Sequence, residues 1–336
     1  MSIRSRIDQA FRLPAALLLG LSLAVPLQAQ VIRIDGSSTV YPVTEGVAED
    51  FQKAQKGRIK VTVGISGTGG GFKRFCRGEV DIQSASRPIQ EKEMADCRAA
   101  GVAYVELPIA FDAITVVVHP RNTWLKSITV AELKTIWAPE AQGRISRWRQ
   151  VNPAWPDAPN KLFGAGADSG TFDYFTEAIV GRSKASRGDF TASEDDNVLV
   201  QGVAQDVNAL GYFGFAYYSE NQRRVRAVPI ATAEGKPAIP PNEQTVMAGT
   251  YQPLSRPIMI YVSAKALERA EVREFARYYI ENTSRIAREV KYVPLNPTQY
   301  KVLLEHLAQP KLGTVFGGHN EVGVNIDEVL RRPAKL

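Results

Sequence analysis

Hydroxyl residues and glycines crowd three short stretches of this 336-residue chain: Gly36-Ser37-Ser38-Thr39, Ser66-Gly67-Thr68-Gly69-Gly70-Gly71 and Asp168-Ser169-Gly170-Thr171. Each sits where a strand-like run hands over to a helical pattern. A helix start carries unpaired N–H groups and a partial positive charge, so each stretch is a ready place for an anion. Ser and Thr there also read as plain N-caps, and one stretch alone would mean little. Three of them, far apart in sequence, predict one small oxyanion held by convergent donors. The run of glycines strengthens this reading, because glycine gives up order for close backbone approach. Such donors suit an anion that is held rather than converted. Charge-assisted hydrogen bonds contribute roughly 1.5–3 kcal/mol each, so about eight exceed the roughly 8 kcal/mol of micromolar binding. Desolvating the ion and closing the site consume the surplus. No metal or cofactor is needed.

The elements that must position these stretches alternate strand with helix. Residues 31–34 form a strand, and a helix from about Pro42 puts Val43, Val47, Ala48 and Phe51 on one face. Residues 59–65 form a second strand that runs into the glycines, with a helix beginning near Phe72, Phe75 and Cys76. Strand 80–85, helix 91–98 and a long extended run 104–118 follow. A second domain then begins, with a capping box at Thr129-Val130-Ala131-Glu132. Strand 162–164 leads into the third stretch, whose helix carries Phe172, Phe175 and Ile179. Residues 193–196 cap another helix, 212–218 read as an aromatic strand, 257–262 as an apolar strand and 264–290 as a helix. Asn296-Pro297 starts a last helix, to about Ala308. The alternation predicts an α/β protein with parallel strands covered by helices on both faces. The late elements could stand as a third unit; more economically they return to the first sheet. That gives crossovers near 112–117 and 256–261, with a cleft between lobes 30–114 plus 256–336 and 115–255.

Residues 1–29 read as an export signal, with Arg4, Arg6 and Arg12 ahead of an apolar run and Leu27-Gln28-Ala29 as the cleavage site. Its removal, with Asp8, lowers the formal charge from +6 to about +4. That excess suits anions and is too small and dispersed for nucleic acid. Cys76 and Cys97 are the only cysteines, and in an oxidising compartment they read as one disulfide, with two buried free thiols as the alternative. His119, His306 and His319 are scattered without metal-ligand spacing.

The chain resembles the periplasmic phosphate-binding proteins that feed phosphate ABC importers. The resemblance runs through Asp35-Gly36-Ser37-Ser38-Thr39-Val40-Tyr41-Pro42, Ser66-Gly67-Thr68-Gly69-Gly70-Gly71-Phe72-Lys73, Asp81-Ile82-Gln83-Ser84-Ala85-Ser86-Arg87-Pro88, Asp168-Ser169-Gly170-Thr171 and Leu210-Gly211-Tyr212-Phe213-Gly214. It implies a two-lobed, type II periplasmic-binding-protein fold with two crossover hinge strands, closing on inorganic phosphate. It also implies a periplasmic monomer without cofactor that delivers its ligand to a membrane permease. Carried over, Ser37, Ser38 and Thr39 supply donors from the first loop, and Thr68 with Gly69 from the second. Ser169, Gly170 and Thr171 supply the other lobe's donors. Two departures stand out. The best-known branch has a buried Asp where this chain reads Ser86-Arg87-Pro88, and an Arg before its Ser-Gly-Thr loop where this chain reads Ala165-Gly166-Ala167-Asp168. Arg87 or its neighbour Ser86, and Arg187, are therefore candidate contacts, and Asp168 is the candidate acceptor for a phosphate proton. Without such an acceptor, discrimination against sulfate weakens.

The same residues admit other readings: a receptor for sulfate, molybdate or arsenate, a secreted phosphate-ester hydrolase, or an adhesive protein using Trp148 and Trp155. The hydrolase reading lacks its motif, since Gly64-Ile65-Ser66-Gly67-Thr68 has no final glycine.

Overall fold

Backbone pairing builds one main sheet that changes partners part-way along its longest strand, beside a small parallel pair of Ile128–Thr129 with Ile230–Ala231. The computed structural model describes residues 30–321 and 326–336, so the expected export signal lies outside the described residues. β1 (Gln30–Gly36) lies parallel to β2 (Ile59–Val63) and β3 (Ile82–Ala85). β4 (Tyr104–Val118), β5 (Lys161–Ala165), β6 (Thr191–Ser193), β7 (Ala209–Gly214) and β8 (Ser255–Ser263) complete the main order β2-β1-β3-β8-β4-β7-β5-β6. The first part of β4, Tyr104 to Ala113, pairs antiparallel with β8, and Ile114 to Val118 pair antiparallel with β7. β8 also pairs with β3, so the late chain does return to the first sheet. Nearly every β4 residue is buried, which is why its sequence is mostly apolar, with Glu106 and Asp112 its only charged residues.

Helices cover both faces of each half-sheet. On the β1 side, α1 (Tyr41–Ala54) and α9 (Ala270–Glu289) enclose Ile32, Ile34, Val47, Phe51, Ile260, Phe275 and Tyr279. The opposite face holds α2 (Gly67–Cys76) and α3 (Glu91–Ala99), around Phe72, Phe75 and Tyr261, with a Cys76–Cys97 disulfide joining the two helices. On the β7 side, α4 (Val130–Trp137) and α5 (Gly170–Val180) bury Leu133, Trp137, Phe175 and Tyr212. α6 (Asp196–Gln205) and α7 (Phe215–Glu220) cover Leu199, Val203 and Phe213. Each such large apolar side chain contributes roughly 1.5–3 kcal/mol by leaving water. Trp148 and Trp155 are buried with this second core rather than displayed. A short α8 (Glu243–Met247), then α10 (Pro297–Ala308) and α11 (Ile326–Arg331), complete the helices among the described residues. None is long and apolar enough to cross a membrane.

The capping box expected at Thr129 forms, and the helix start expected at Asn296-Pro297 proves to be a capping box with Gln299, both reciprocal bonds being present in each. Three boundaries differ from the sequence expectation. α2 begins at Gly67, so the glycine run is the helix's own first turns. The close neighbours of Gly71 explain why: a Cβ there would sit 2.1 Å from Gln83 Oε1 and 2.7 Å from Gly36 Cα. The expected strand 212–218 stops at Gly214, where α7 begins, and the expected helix 264–290 starts only at Ala270, after a 3-10 turn at Ala266–Glu268.

Candidate functional site

The three hydroxyl stretches meet where the two lobes touch. Gly36, with φ +132°, turns the end of β1 so tightly that a Cβ would fall 2.1 Å from the Ser84 carbonyl oxygen. The following residues form a turn in which the Ser37 carbonyl accepts from the Val40 and Tyr41 N–H groups, while the Ser37 N–H donates to Ser84 O. The helix is capped by Val40 without side-chain help. Ser38 and Thr39 are thus spared from capping, and their N–H groups donate to no acceptor among the described residues. Their hydroxyls point across the cleft: Ser38 Oγ donates to Asp196 Oδ1 at 3.2 Å, and Thr39 Oγ1 lies 3.0 Å from Thr171 Oγ1.

The second stretch meets the third directly. The Gly69 N–H donates to the Asp168 carbonyl at 2.7 Å. Thr68 Oγ1 lies 3.1 Å from Ser86 Oγ and accepts from the Ser86 N–H. A Cβ on Gly170 would come within 2.6 Å of Thr68 Oγ1 and 2.7 Å of Ser86 Oγ, so α5 starts against both. Only glycine permits that approach. Ser169 is the N-cap of α5, its Oγ accepting from the Thr171 N–H at 3.1 Å. Ser37, Ser38, Thr39, Thr68, Ser86, Ser169 and Thr171 are all buried.

The cation at this junction comes from the hinge. Arg256, near the start of β8, is fully buried, and its Nε and Nη2 donate to Asp112 Oδ2 at 3.2 and 3.0 Å. Asp112 stands opposite on β4, where its other oxygen accepts from the Phe215 N–H. Nη2 also donates to Thr39 Oγ1 at 3.2 Å and Thr171 Oγ1 at 2.7 Å, one hydroxyl from each lobe. Nη1 is buried with no hydrogen-bond partner among the described residues. An arginine fork held by a carboxylate on one edge and presenting a bare N–H edge is suited to an oxyanion.

A carboxylate stands beside it. Asp196 is the first residue of α6, but Asp195 is the cap, so Asp196 turns inward and is fully buried. It accepts from Ser38 Oγ and from the Gly214 N–H. Burial pushes its carboxyl up to about 7, with Asp112 adding and the Gly214 N–H, Arg256 and Ser38 opposing. No group of three or more His, Cys, Asp and Glu among the described residues is arranged to hold a metal ion.

The PBP superfamily domain matches residues 24–283 of this chain. The chain is 51% identical over 334 residues to Protein SphX of Synechocystis, covering 99% of this chain and 98% of that one. It is 34% identical over 289 residues to the phosphate-binding protein PstS of Staphylococcus saprophyticus, covering 85% of each. A crystal structure described as a possible phosphate-binding protein from Planctomyces limnophilus is similar with a TM-score of 0.61 and 45% identity, covering 84% of this chain and 98% of that one. The chain belongs to the PBP superfamily. Its two-lobed α/β fold is that of the superfamily's substrate-binding proteins, which bind and release their ligand without converting it.

Several expected site residues are placed elsewhere. Arg187 is apart from the junction: its guanidinium is held by Asp189 and by the carbonyls of Ile136 and Ile145, closing the 136–145 loop. Arg87 lies beside the junction, but all three of its nitrogens are committed to Asp173, Glu93 and the Pro88 carbonyl. Asp168 turns its half-exposed carboxylate to Lys73 at 2.8 Å, so the carboxylate at the junction is Asp196 instead. Arg256 and Asp196 are the two groups that the sequence pattern missed.

Proposed function

We propose that the chain captures inorganic phosphate between its lobes outside the cytoplasm and delivers it to the membrane permease of an ABC importer. The observation that carries this reading is Arg256, whose Nη2 holds one threonine from each lobe while Nη1 remains buried and unpaired. A tetrahedral anion there takes Nη1 and the N–H groups of Ser38 and Thr39, with the hydroxyls of Ser38, Thr39, Thr68, Ser86 and Thr171 around it. Asp196 accepts the proton of monohydrogen phosphate. Sulfate has none to give and meets a carboxylate lone pair, whereas arsenate has one and is held like phosphate. The PstS relative's name supports the same ligand. Residues 30–114 with 256–336 form one lobe and 115–255 the other, and ligand shifts the population toward a closed form that the permease recognises. The mature chain starts near Gln30 and acts as a monomer. Isothermal titration of the mature chain with phosphate, arsenate and sulfate tests the reading. It requires micromolar or tighter phosphate binding, with sulfate weaker by at least about tenfold; equal affinity for sulfate overturns the role of Asp196, and no phosphate binding overturns the function.

A further inference from the structure

Arg87 and Asp173 form a fully buried ion pair that crosses from one lobe to the other. Arg87 follows β3 in the first lobe, and its Nε donates to Asp173 Oδ2 at 2.5 Å, with neither side chain exposed to solvent. Asp173 lies in the first turn of α5, two residues beyond Thr171, so the pair forms through the same approach that unites the hydroxyl stretches. The other bonds of Arg87 stay within its own lobe: Nη1 to Pro88 O and Glu93 Oε2, and Nη2 to Glu93 Oε1. Burial disfavours the guanidinium charge, but Glu93 and Asp173 more than offset it, so the group stays protonated.

The guanidinium is therefore set in place before the lobes meet. Glu93 takes part in the capping box of α3 through the Gln90 N–H, and Phe72 lies 5.6 Å from the Arg87 guanidinium. The Cys76–Cys97 disulfide ties α3 to α2, whose first turn carries Thr68 and Gly69. Separation of the lobes leaves Arg87 its carboxylate partner Glu93, but leaves Asp173 only the Lys184 ammonium, 3.8 Å away.

We infer that the Arg87–Asp173 pair is the latch of the closed state: it sets how long the ligand stays, not which ligand enters. The inference rests on the phosphate reading for its kinetic readout but not for its structural one. Asp173→Asn keeps the shape and removes the charge; Arg87→Lys keeps the charge and cannot serve both carboxylates. Stopped-flow kinetics on folded variants should show phosphate release faster by at least about tenfold, with unchanged association and an unchanged ratio of phosphate to arsenate affinity. X-ray scattering without ligand should show both variants more extended than the wild type. Unchanged release together with unchanged scattering overturns the latch. A changed phosphate-to-arsenate ratio or slowed association also overturns it, because Arg87 would then touch the anion. A wild type that binds no phosphate sinks the functional reading, while the scattering comparison still decides the latch.

Discussion

Replacing Arg256 by lysine keeps a positive charge on the hinge and removes the planar fork. In the structure that fork serves Asp112 through Nε and Nη2, serves Thr39 and Thr171 through Nη2, and leaves Nη1 unpaired. A single ammonium cannot satisfy the carboxylate and both hydroxyls and still present a second N–H edge. The loss is at least one charge-assisted hydrogen bond to the anion, roughly 1.5–3 kcal/mol, or about 10- to 150-fold in affinity. Loss of order in the two threonine hydroxyls adds to it. Isothermal titration with phosphate reads the effect, with thermal unfolding as the control for folding. Removing the charge altogether is a poorer first test. Arg256→Met leaves Asp112 buried and unpaired, which costs roughly 3–5 kcal/mol of stability. The double variant Arg256→Met with Asp112→Asn avoids that and keeps an oxygen for the Phe215 N–H. A folded Arg256→Lys protein that binds phosphate within about threefold of the wild type refutes the assignment of the cation.

Asp196→Asn should narrow the preference for phosphate over sulfate, measured as the ratio of their affinities. The same variant tests the titration of that group. Its carboxyl moves from an ordinary 3.8 to about 7 on folding, so between those pH values the folded protein holds a proton that the unfolded chain has lost. Asp196 should therefore contribute a fall in the ligand-free protein's stability of up to roughly 4 kcal/mol as pH rises through that window, and Asp196→Asn should make the fall between pH 5 and pH 8 in urea unfolding smaller, with buried Asp112, Glu106 and Asp173 supplying the rest. Gly71→Ala drives a methyl group against Gln83 and the Gly36 backbone, and should destabilise by about 1–3 kcal/mol in denaturant titration. It should also weaken phosphate binding, because Gln83 Nε2 holds the Thr68 carbonyl at the start of α2. Converting Cys76 and Cys97 together to serine frees a loop with a sequence separation of 21 residues, and should lower stability by roughly 3 kcal/mol.

The parts of the site that read clearly in the sequence are those with local signals. The hydroxyl stretches follow strands and open helices, and the junction brings all three together. The 15-residue β4 shows as an apolar run because both its faces are covered. The Thr129 capping box and the Asn296-Pro297 helix start show because each needs only a few adjacent residues. Arg256 has no such neighbourhood. It stands alone in an apolar strand, and its partner Asp112 lies 144 residues away in a second apolar strand. Opposite charges set in runs otherwise fit for burial, Arg256 in one and Asp112 with Glu106 in the other, were the available signal, since such groups are rarely buried unless paired. Asp196 is hidden for another reason. It adjoins Asp195, both look like helix-start acids, and only the register at which α6 begins turns one outward and the other into the cleft. Arg187 and Arg87 show the converse, because a sequence gives their charge but not the carboxylates that pair with it.

The position of the bound anion tests the account most directly. Crystals grown with arsenate, measured at the arsenic absorption edge, should give one strong anomalous peak within hydrogen-bonding reach of Arg256 Nη1, the Ser38 and Thr39 amides and the Thr171 hydroxyl. A peak at Arg187 or on the outer surface, with none beside Arg256, would contradict it.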